Sequence, residues 1–168
     1  PDLKSYGVVP LSETRVSHVI ISFVCIMGIT LLIGIFEQLL NSNPDLFTHP
    51  GITVPSTFYK QLLDQPVLVL LIAVTCILIG YFEELFFRVY LIKEFAHNRF
   101  SAHITILTGS ILFAAGHAYQ GFIAVAGTFF IGMFLGYRYL TDSSWHEIAL
   151  AHALYNFTAI LLMPAAGA

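Results

Sequence analysis

The chain has 168 residues, of which 57% are hydrophobic and 10% are charged, and its formal net charge is −3. Because soluble domains carry about 25% charged residues, this composition excludes an ordinary soluble domain and predicts a protein of the lipid bilayer. The small net charge and the lack of a basic cluster argue against nucleic acid as a partner. The two cysteines, Cys25 and Cys76, fall within apolar runs and are interpreted as buried apolar side chains.

Five apolar segments follow one another, and each has about the 20 residues that a membrane-spanning helix needs. No alternating pattern of a β-barrel is present, so the segments predict an all-α, polytopic membrane helical bundle with about five transmembrane helices. Because the chain begins with Pro1, we expect further membrane helices to precede it. The five segments are residues 16–40, 66–97, 102–119, 121–140 and 145–163.

The length predicts a single membrane domain over residues 1–168. Its first part, residues 1–65, combines one transmembrane helix with the stretch "NSNPDLFTHPGITVPST". This stretch is rich in Pro, Asn and Thr, which predicts a polar loop outside the bilayer. The second part, residues 66–165, holds the other four segments.

Five spans place the N-terminal segment and the loops at 97–103 and 140–145 on one side of the bilayer. Basic residues favour the cytoplasmic side of a membrane. We therefore predict a multi-pass protein, of the cell membrane in a bacterium, with this side in the cytoplasm. The prediction rests on five basic residues against one, namely Lys4, Arg15, Lys93, Arg99 and Arg138 against Lys60.

Ionisable and polar side chains interrupt the apolar segments at a few positions. A charged residue at the bilayer centre costs about 2.5–3.5 kcal/mol on insertion scales, so these residues need an explanation. One interpretation is structural, since Glu84 and Arg88 are four apart and form a favourable intrahelical ion pair. The residues concerned are Glu83, Glu84 and Arg88 in the second segment, His117 in the third, and His152 and Asn156 in the fifth.

Glu83 lies about 100° around the helix from Glu84 and is left without that ion pair. It stands 17 residues before the turn near residue 100, and His117 stands 17 residues after it. Two straight helices of equal rise would hold both at the same depth. His152 and Asn156 share a helix face, but His152 comes out several residues nearer the cytoplasmic side than His117. Tilt, a broken fourth helix or an irregular stretch after His117 could close this gap.

Two further features have simple structural interpretations. Tyr119 and Tyr155 neighbour motif histidines and could line a site, although aromatic packing is the simpler expectation. Gly132 and Gly136 form a GxxxG step, which predicts close helix packing either within the chain or between copies.

Three motifs in this order resemble those of the CPBP family, which comprises CaaX prenyl proteases and bacteriocin-processing enzymes and is also called the Abi family. Each motif alone is weak, but their succession on hydrophobic helices is specific. The resembling region is the proposed catalytic core, 66–165. The motifs are Glu-Glu-x-x-x-Arg at Glu83, Glu84 and Arg88, Phe-x-x-x-His at Phe113 and His117, and His-x-x-x-Asn at His152 and Asn156.

The resemblance implies an intramembrane endopeptidase that hydrolyses a peptide bond in or near the membrane. Glu83 would be the general base that activates water, and His117 would hold that water or help to activate it. His152 and Asn156 would stabilise the oxyanion. The remaining motif residues would hold the helix and tune the base, namely Glu84 and Arg88.

The family has been described as metalloproteases, and a zinc ion would be held by Glu83, His117 and His152. These ligands come from three helices with no HExxH spacing, so we expect no obligatory metal. The expected substrates are a prenylated CaaX protein, a leader peptide or a membrane-anchored protein. Two alternatives stay open, a proton-coupled transporter and a non-catalytic scaffold or immunity protein. The polar residues gather on three helices rather than along a path, which favours the protease.

Overall fold

The computed structural model describes residues 9–40, 64–141 and 144–162, and the predicted polar loop lies outside them, as do Lys4 and Lys60. Every regular element in these ranges is helical. The helices are α1 (Val16–Leu40), α2 (Pro66–Glu84, π-helical Leu85–Tyr90 and Leu91–His97), α3 (Ala102–Ala115), α4 (Phe122–Thr141) and α5 (Trp145–Leu162), with two short 3₁₀ turns at Leu11–Glu13 and Ala118–Gln120.

The helices confirm an all-α membrane bundle. Among the described residues, three helical stretches are long and apolar enough to cross a membrane: Val16–Leu40, Pro66–Phe95 and Phe122–Thr141. α3 is apolar but has only 14 residues. Backbone hydrogen bonds must be satisfied within each segment when lipid is the solvent, which is why the apolar segments of the sequence become helices.

The chain between α3 and α4 departs from the predicted helix over 102–119. α3 ends at Ala115, and His117 precedes a short 3₁₀ turn instead of continuing the helix. Gly121 then adopts a φ of 95°, a conformation that glycine reaches without strain, before α4 begins. His117 therefore projects from an irregular stretch, so the equal-rise argument that placed it on a straight helix was wrong in this detail.

α2 and α5 approach each other at backbone distance around Gly80. A Cβ atom at this position would lie 2.9 Å from the Ala149 carbonyl oxygen and 3.0 Å from the Ala153 nitrogen. Both are main-chain atoms that cannot move without shifting α5. The absence of a side chain at Gly80 therefore sets the α2–α5 contact, one turn before the two glutamates.

α3 and α4 also pack closely, through the predicted GxxxG step. A Cβ at Gly132 would lie 3.1 Å from Ser110 and 3.2 Å from Phe113, and one at Gly136 would lie 3.2 Å from Ile106. Small residues let helices in membranes pack at short range. The structure thus places this contact within the chain.

Charged residues tie three helix ends together. The buried Glu147 in the first turn of α5 accepts a hydrogen bond of 2.9 Å from Nε of Arg15, just before α1. Glu147 also forms a capping box with Ser144. Arg138 near the end of α4 contacts His18 at 3.3 Å. The start of α1, the end of α4 and the start of α5 therefore lie at the same end of the bundle, as the five-span arrangement requires.

We predict that Gly80→Ala lowers the free energy of unfolding by about 1–3 kcal/mol, because the added methyl group overpacks the α2–α5 contact. Thermal unfolding in detergent measures this change. Gly28→Ala is the matched control, because a Cβ at Gly28 meets nothing within 4 Å. Equal melting temperatures for both variants would contradict the close approach at Gly80.

Candidate active site

The two adjacent glutamates lie at the last residues of the regular first part of α2 and face different surroundings. The side chain of Glu84 is fully buried, whereas that of Glu83 is 23% exposed. A π-helical stretch begins at the next residue, Leu85. Such wider turns are rare in proteins and are frequent at functional sites.

Glu84 joins an arginine and a histidine of the bundle. Its Oε1 accepts a hydrogen bond of 3.0 Å from Nη1 of Arg88, which confirms the predicted ion pair. The same oxygen lies 2.8 Å from Nδ1 of His152 on α5. Arg88 in turn donates a long hydrogen bond of 3.4 Å to the Gly132 carbonyl of α4. The contact with His152 was not predicted, because it depends on how two helices cross.

Phe113 fills the space between the motif side chains. Its ring centre lies 4.6 Å from the guanidinium carbon of Arg88, within the range of a cation–π interaction. The same ring meets the imidazoles of His117 and His152 edge to face, with centroids 5.0 and 5.8 Å away. The phenylalanine of the second motif thus packs against three of the charged or polar residues that the motifs contain.

The orientation of His117 follows from one backbone contact. Its Nδ1 lies 2.9 Å from the carbonyl oxygen of Phe113. Because a carbonyl oxygen only accepts hydrogen bonds, Nδ1 must carry the proton. In the neutral imidazole this leaves the lone pair of Nε2 available to a water molecule.

His152 lies between the two glutamates and is 4% exposed. Its Nδ1 is held by Glu84, and its Nε2 lies 3.6 Å from Oε2 of Glu83. This second distance is longer than a hydrogen bond, so Nε2 is not engaged by Glu83. Glu84 therefore fixes the ring, and Glu83 contributes a nearby negative charge.

A cavity of about 460 Å³ collects the predicted catalytic residues. Its lining includes Glu83, His117, His152 and Asn156, although these residues come from α2, α5 and the turn after α3. The depth gap expected for His152 is closed, since its Nε2 lies 3.6 Å from Glu83. The chain becomes irregular after Ala115, so the irregular stretch begins before His117 and not after it. Glu84 and Arg88 are not in the lining.

The same lining contains side chains that the sequence interpretation left out or assigned to packing. Tyr119 and Tyr155 both line the cavity, as do Gln120 and Thr128. The sequence offered one indication for Gln120: it lies beside Gly121, in a break between two apolar segments. A wider groove of about 710 Å³ runs along α2, but its lining holds none of the motif residues.

The zinc ligands considered from the sequence are Glu83, His117 and His152. Within the described ranges, no group of three His, Cys, Asp or Glu side chains is placed to hold a metal ion. His152 has its Nδ1 directed at Glu84 and its Nε2 directed towards Glu83. Because Nδ1 donates to Glu84, the neutral His152 ring would offer a metal ion the lone pair of Nε2 alone.

Comparison with known proteins agrees with the motifs. The family model described as type II CAAX prenyl endopeptidase Rce1-like matches residues 65–158, a range that contains every motif residue. No curated protein matches the chain. No solved structure matches it either.

We predict that Glu84→Gln lowers the free energy of unfolding by about 3–5 kcal/mol, because it leaves the buried Arg88 cation without its counter-charge. Unfolding in detergent measures the loss. Glu94→Gln, an exposed glutamate on the same helix, is the matched control and should behave as the wild type. If Glu84→Gln unfolds at the same temperature as the control, Glu84 does not hold the helices together.

Proposed function

The chain belongs to the type II CAAX prenyl endopeptidase Rce1-like family, within the CPBP group, and we infer that it is an intramembrane endopeptidase. The observation that carries this proposal is the single cavity lined by Glu83, His117, His152 and Asn156. A carboxylate, an imidazole with a free lone pair and an amide are the groups that water-mediated peptide hydrolysis requires.

In this mechanism Glu83 is the general base. Its carboxylate removes a proton from a water molecule while the water oxygen bonds to the carbonyl carbon of the substrate. Nε2 of His117 accepts a hydrogen bond from the same water and orients it. When the C–N bond breaks, Glu83 returns the proton to the leaving amine. The partial exposure of Glu83 into the cavity supports this role.

The oxyanion that forms needs hydrogen-bond donors, and His152 and Asn156 supply them. With Nδ1 donating to Glu84, His152 donates from Nε2 only as the imidazolium. The proposal therefore has His152 protonated on both ring nitrogens, beside the carboxylates of Glu84 and Glu83.

Glu84 and Arg88 act as positioning residues. Neither lines the cavity, but Glu84 holds the His152 ring through Nδ1. Arg88 neutralises Glu84 and links α2 to α4 through Gly132. Loss of either residue therefore acts on the geometry and stability of the site.

The substrates that we propose are a prenylated CaaX protein, a leader peptide or a membrane-anchored protein. We also propose that the end of the bundle with Arg15 and Arg138 faces the cytoplasm, in line with the basic residues gathered there. A proton-coupled transporter or a scaffold is less well supported, because the polar motif residues surround one cavity instead of lining a path.

The base assignment predicts that Glu83→Gln lowers the rate of cleavage at least about a hundredfold while leaving the protein folded. Host membranes and secreted fractions that contain either the wild type or the variant are compared by mass spectrometry of protein termini. A second assay uses purified protein in liposomes with a quenched peptide that ends in a farnesylated Cys-a-a-X sequence.

Glu94→Gln serves as the control, since this exposed glutamate lies on the same helix and outside the cavity. Termini that disappear with Glu83→Gln and persist with Glu94→Gln support the proposal and identify candidate substrates. Identical termini for all three proteins, at equal abundance, would rule out Glu83 as the base.

The proposed mechanism uses no metal ion, which gives a separate prediction. Treatment with EDTA or 1,10-phenanthroline should leave the cleavage rate of the purified protein within about twofold of the untreated rate, since no step depends on a Lewis acid. Loss of activity that added zinc restores would contradict this part of the mechanism.

A further inference from the structure

A second cavity adjoins the candidate active site. It has a volume of about 400 Å³ and is lined by α1 on one side, with Thr30, Gly34 and Glu37 among the residues. Four residues, Gln120, Thr128, Ile131 and Tyr155, line both this cavity and the catalytic one. The two cavities therefore adjoin each other at these four side chains, and the second cavity forms a groove along α1 beside the catalytic one.

α1 contributes to this groove from outside the region that the family model matches, residues 65–158. At the junction, the hydroxyl groups of Thr30 and Tyr155 are 3.1 Å apart and hydrogen-bonded, so α1 is docked against α5 at this point. The wall of the groove is thus part of the packed bundle.

The lining of the α1 side favours a polypeptide as its occupant. The lining combines polar side chains with aliphatic ones such as Ile33 and Ile123; the polar ones are Thr30, Glu37, Gln120, Thr128 and Tyr155. An extended peptide can satisfy the polar groups with its own N–H and C=O groups. The Thr30 hydroxyl already bonds to Ile26 and Tyr155. The Gln120 amide already donates to Tyr119. An isoprenoid chain would cover the Thr128 hydroxyl and the Gln120 side-chain oxygen without a hydrogen bond, which is unfavourable.

The length of the groove sets how much of a peptide it can hold. From Thr30 to Glu37, helix α1 rises by about 10 Å. An extended chain advances about 3.3 Å per residue, so this side accommodates about three residues.

We propose that the groove along α1 binds about three residues of the substrate's peptide chain on one side of the scissile bond, and that α1 thereby determines which sequences are cleaved. The proposal rests on the endopeptidase function above. It assigns α1, which carries none of the motif residues, to substrate recognition.

Gly34 offers a direct way to block the groove. A Cβ at this position meets nothing within 4 Å, so larger side chains extend into open space instead of disturbing the packing. Gly28 on the same helix is equally open but lines neither of the two cavities. Substitutions at Gly28 therefore match those at Gly34 in helix propensity and added apolar area.

The test uses the full protein in liposomes, with Ala, Leu and Phe in turn at Gly34 and at Gly28. The probes are quenched peptides with a farnesylated Cys-a-a-X sequence, lengthened residue by residue on either side of the scissile bond. The peptides form two series, one lengthened on each side of the scissile bond. In one of these series, we expect three added residues to raise kcat/KM about tenfold in the wild type and in all Gly28 variants. In Gly34→Phe this gain should vanish, and in Gly34→Leu it should shrink.

The shortest peptide should be cleaved equally by all the proteins. A length gain that survives in Gly34→Phe would overturn the proposal, and so would an equal loss for the shortest peptide. Gly34→Ala keeps the test informative if the larger variants fail to fold, since it should already reduce the gain without affecting the shortest peptide. If the wild type cleaves no peptide, or Glu83→Gln cleaves as well as the wild type, the endopeptidase function itself fails.

Discussion

A single buried carboxylate holds the helices of the candidate active site together. Glu84 of α2 is fully buried, and its Oε1 contacts both Arg88 and His152. An ionised carboxylate without partners is strongly unfavourable in apolar surroundings. α2 must therefore approach α5 closely enough for His152 to reach Glu84, and Arg88 must reach the Gly132 carbonyl of α4. The pairing of this carboxylate through Oε1 and the convergence of three helices are therefore one constraint.

The exposure of the neighbouring Glu83 follows from the same arrangement. Because Glu84 is held in the core, Glu83 is rotated by about 100° along the helix and faces the cavity. Small residues make the arrangement possible, since Gly80 lets α2 approach the backbone of α5 and Gly132 lets α4 approach α3. The break after Ala115 then brings His117 to the same cavity. Stability and the proposed chemistry thus depend on two adjacent glutamates that differ in burial.

Local sequence patterns predicted most of the fold and part of the candidate site. The apolar segments predicted the helices closely, and the spacing of four residues predicted the Glu84–Arg88 pair, because both depend on neighbours along one helix. The π-helical stretch, the end of α3 before His117 and the contact between Glu84 and His152 were not predictable. They depend on how helices cross, and sequence periodicity does not report this property. The groove along α1 was not predicted for the same reason, since no motif marks Thr30 or its neighbours.

The central claim is that Glu83 and the residues around its cavity meet the reacting peptide bond. The most direct measurement is an experimental structure of the protein bound to a peptide phosphinate, whose tetrahedral phosphorus mimics the hydrolysis intermediate. The account predicts one phosphinate oxygen within hydrogen-bond distance of Glu83 and His117, and the other beside His152 and Asn156. A phosphinate bound elsewhere on the bundle, with no contact to Glu83, would contradict it.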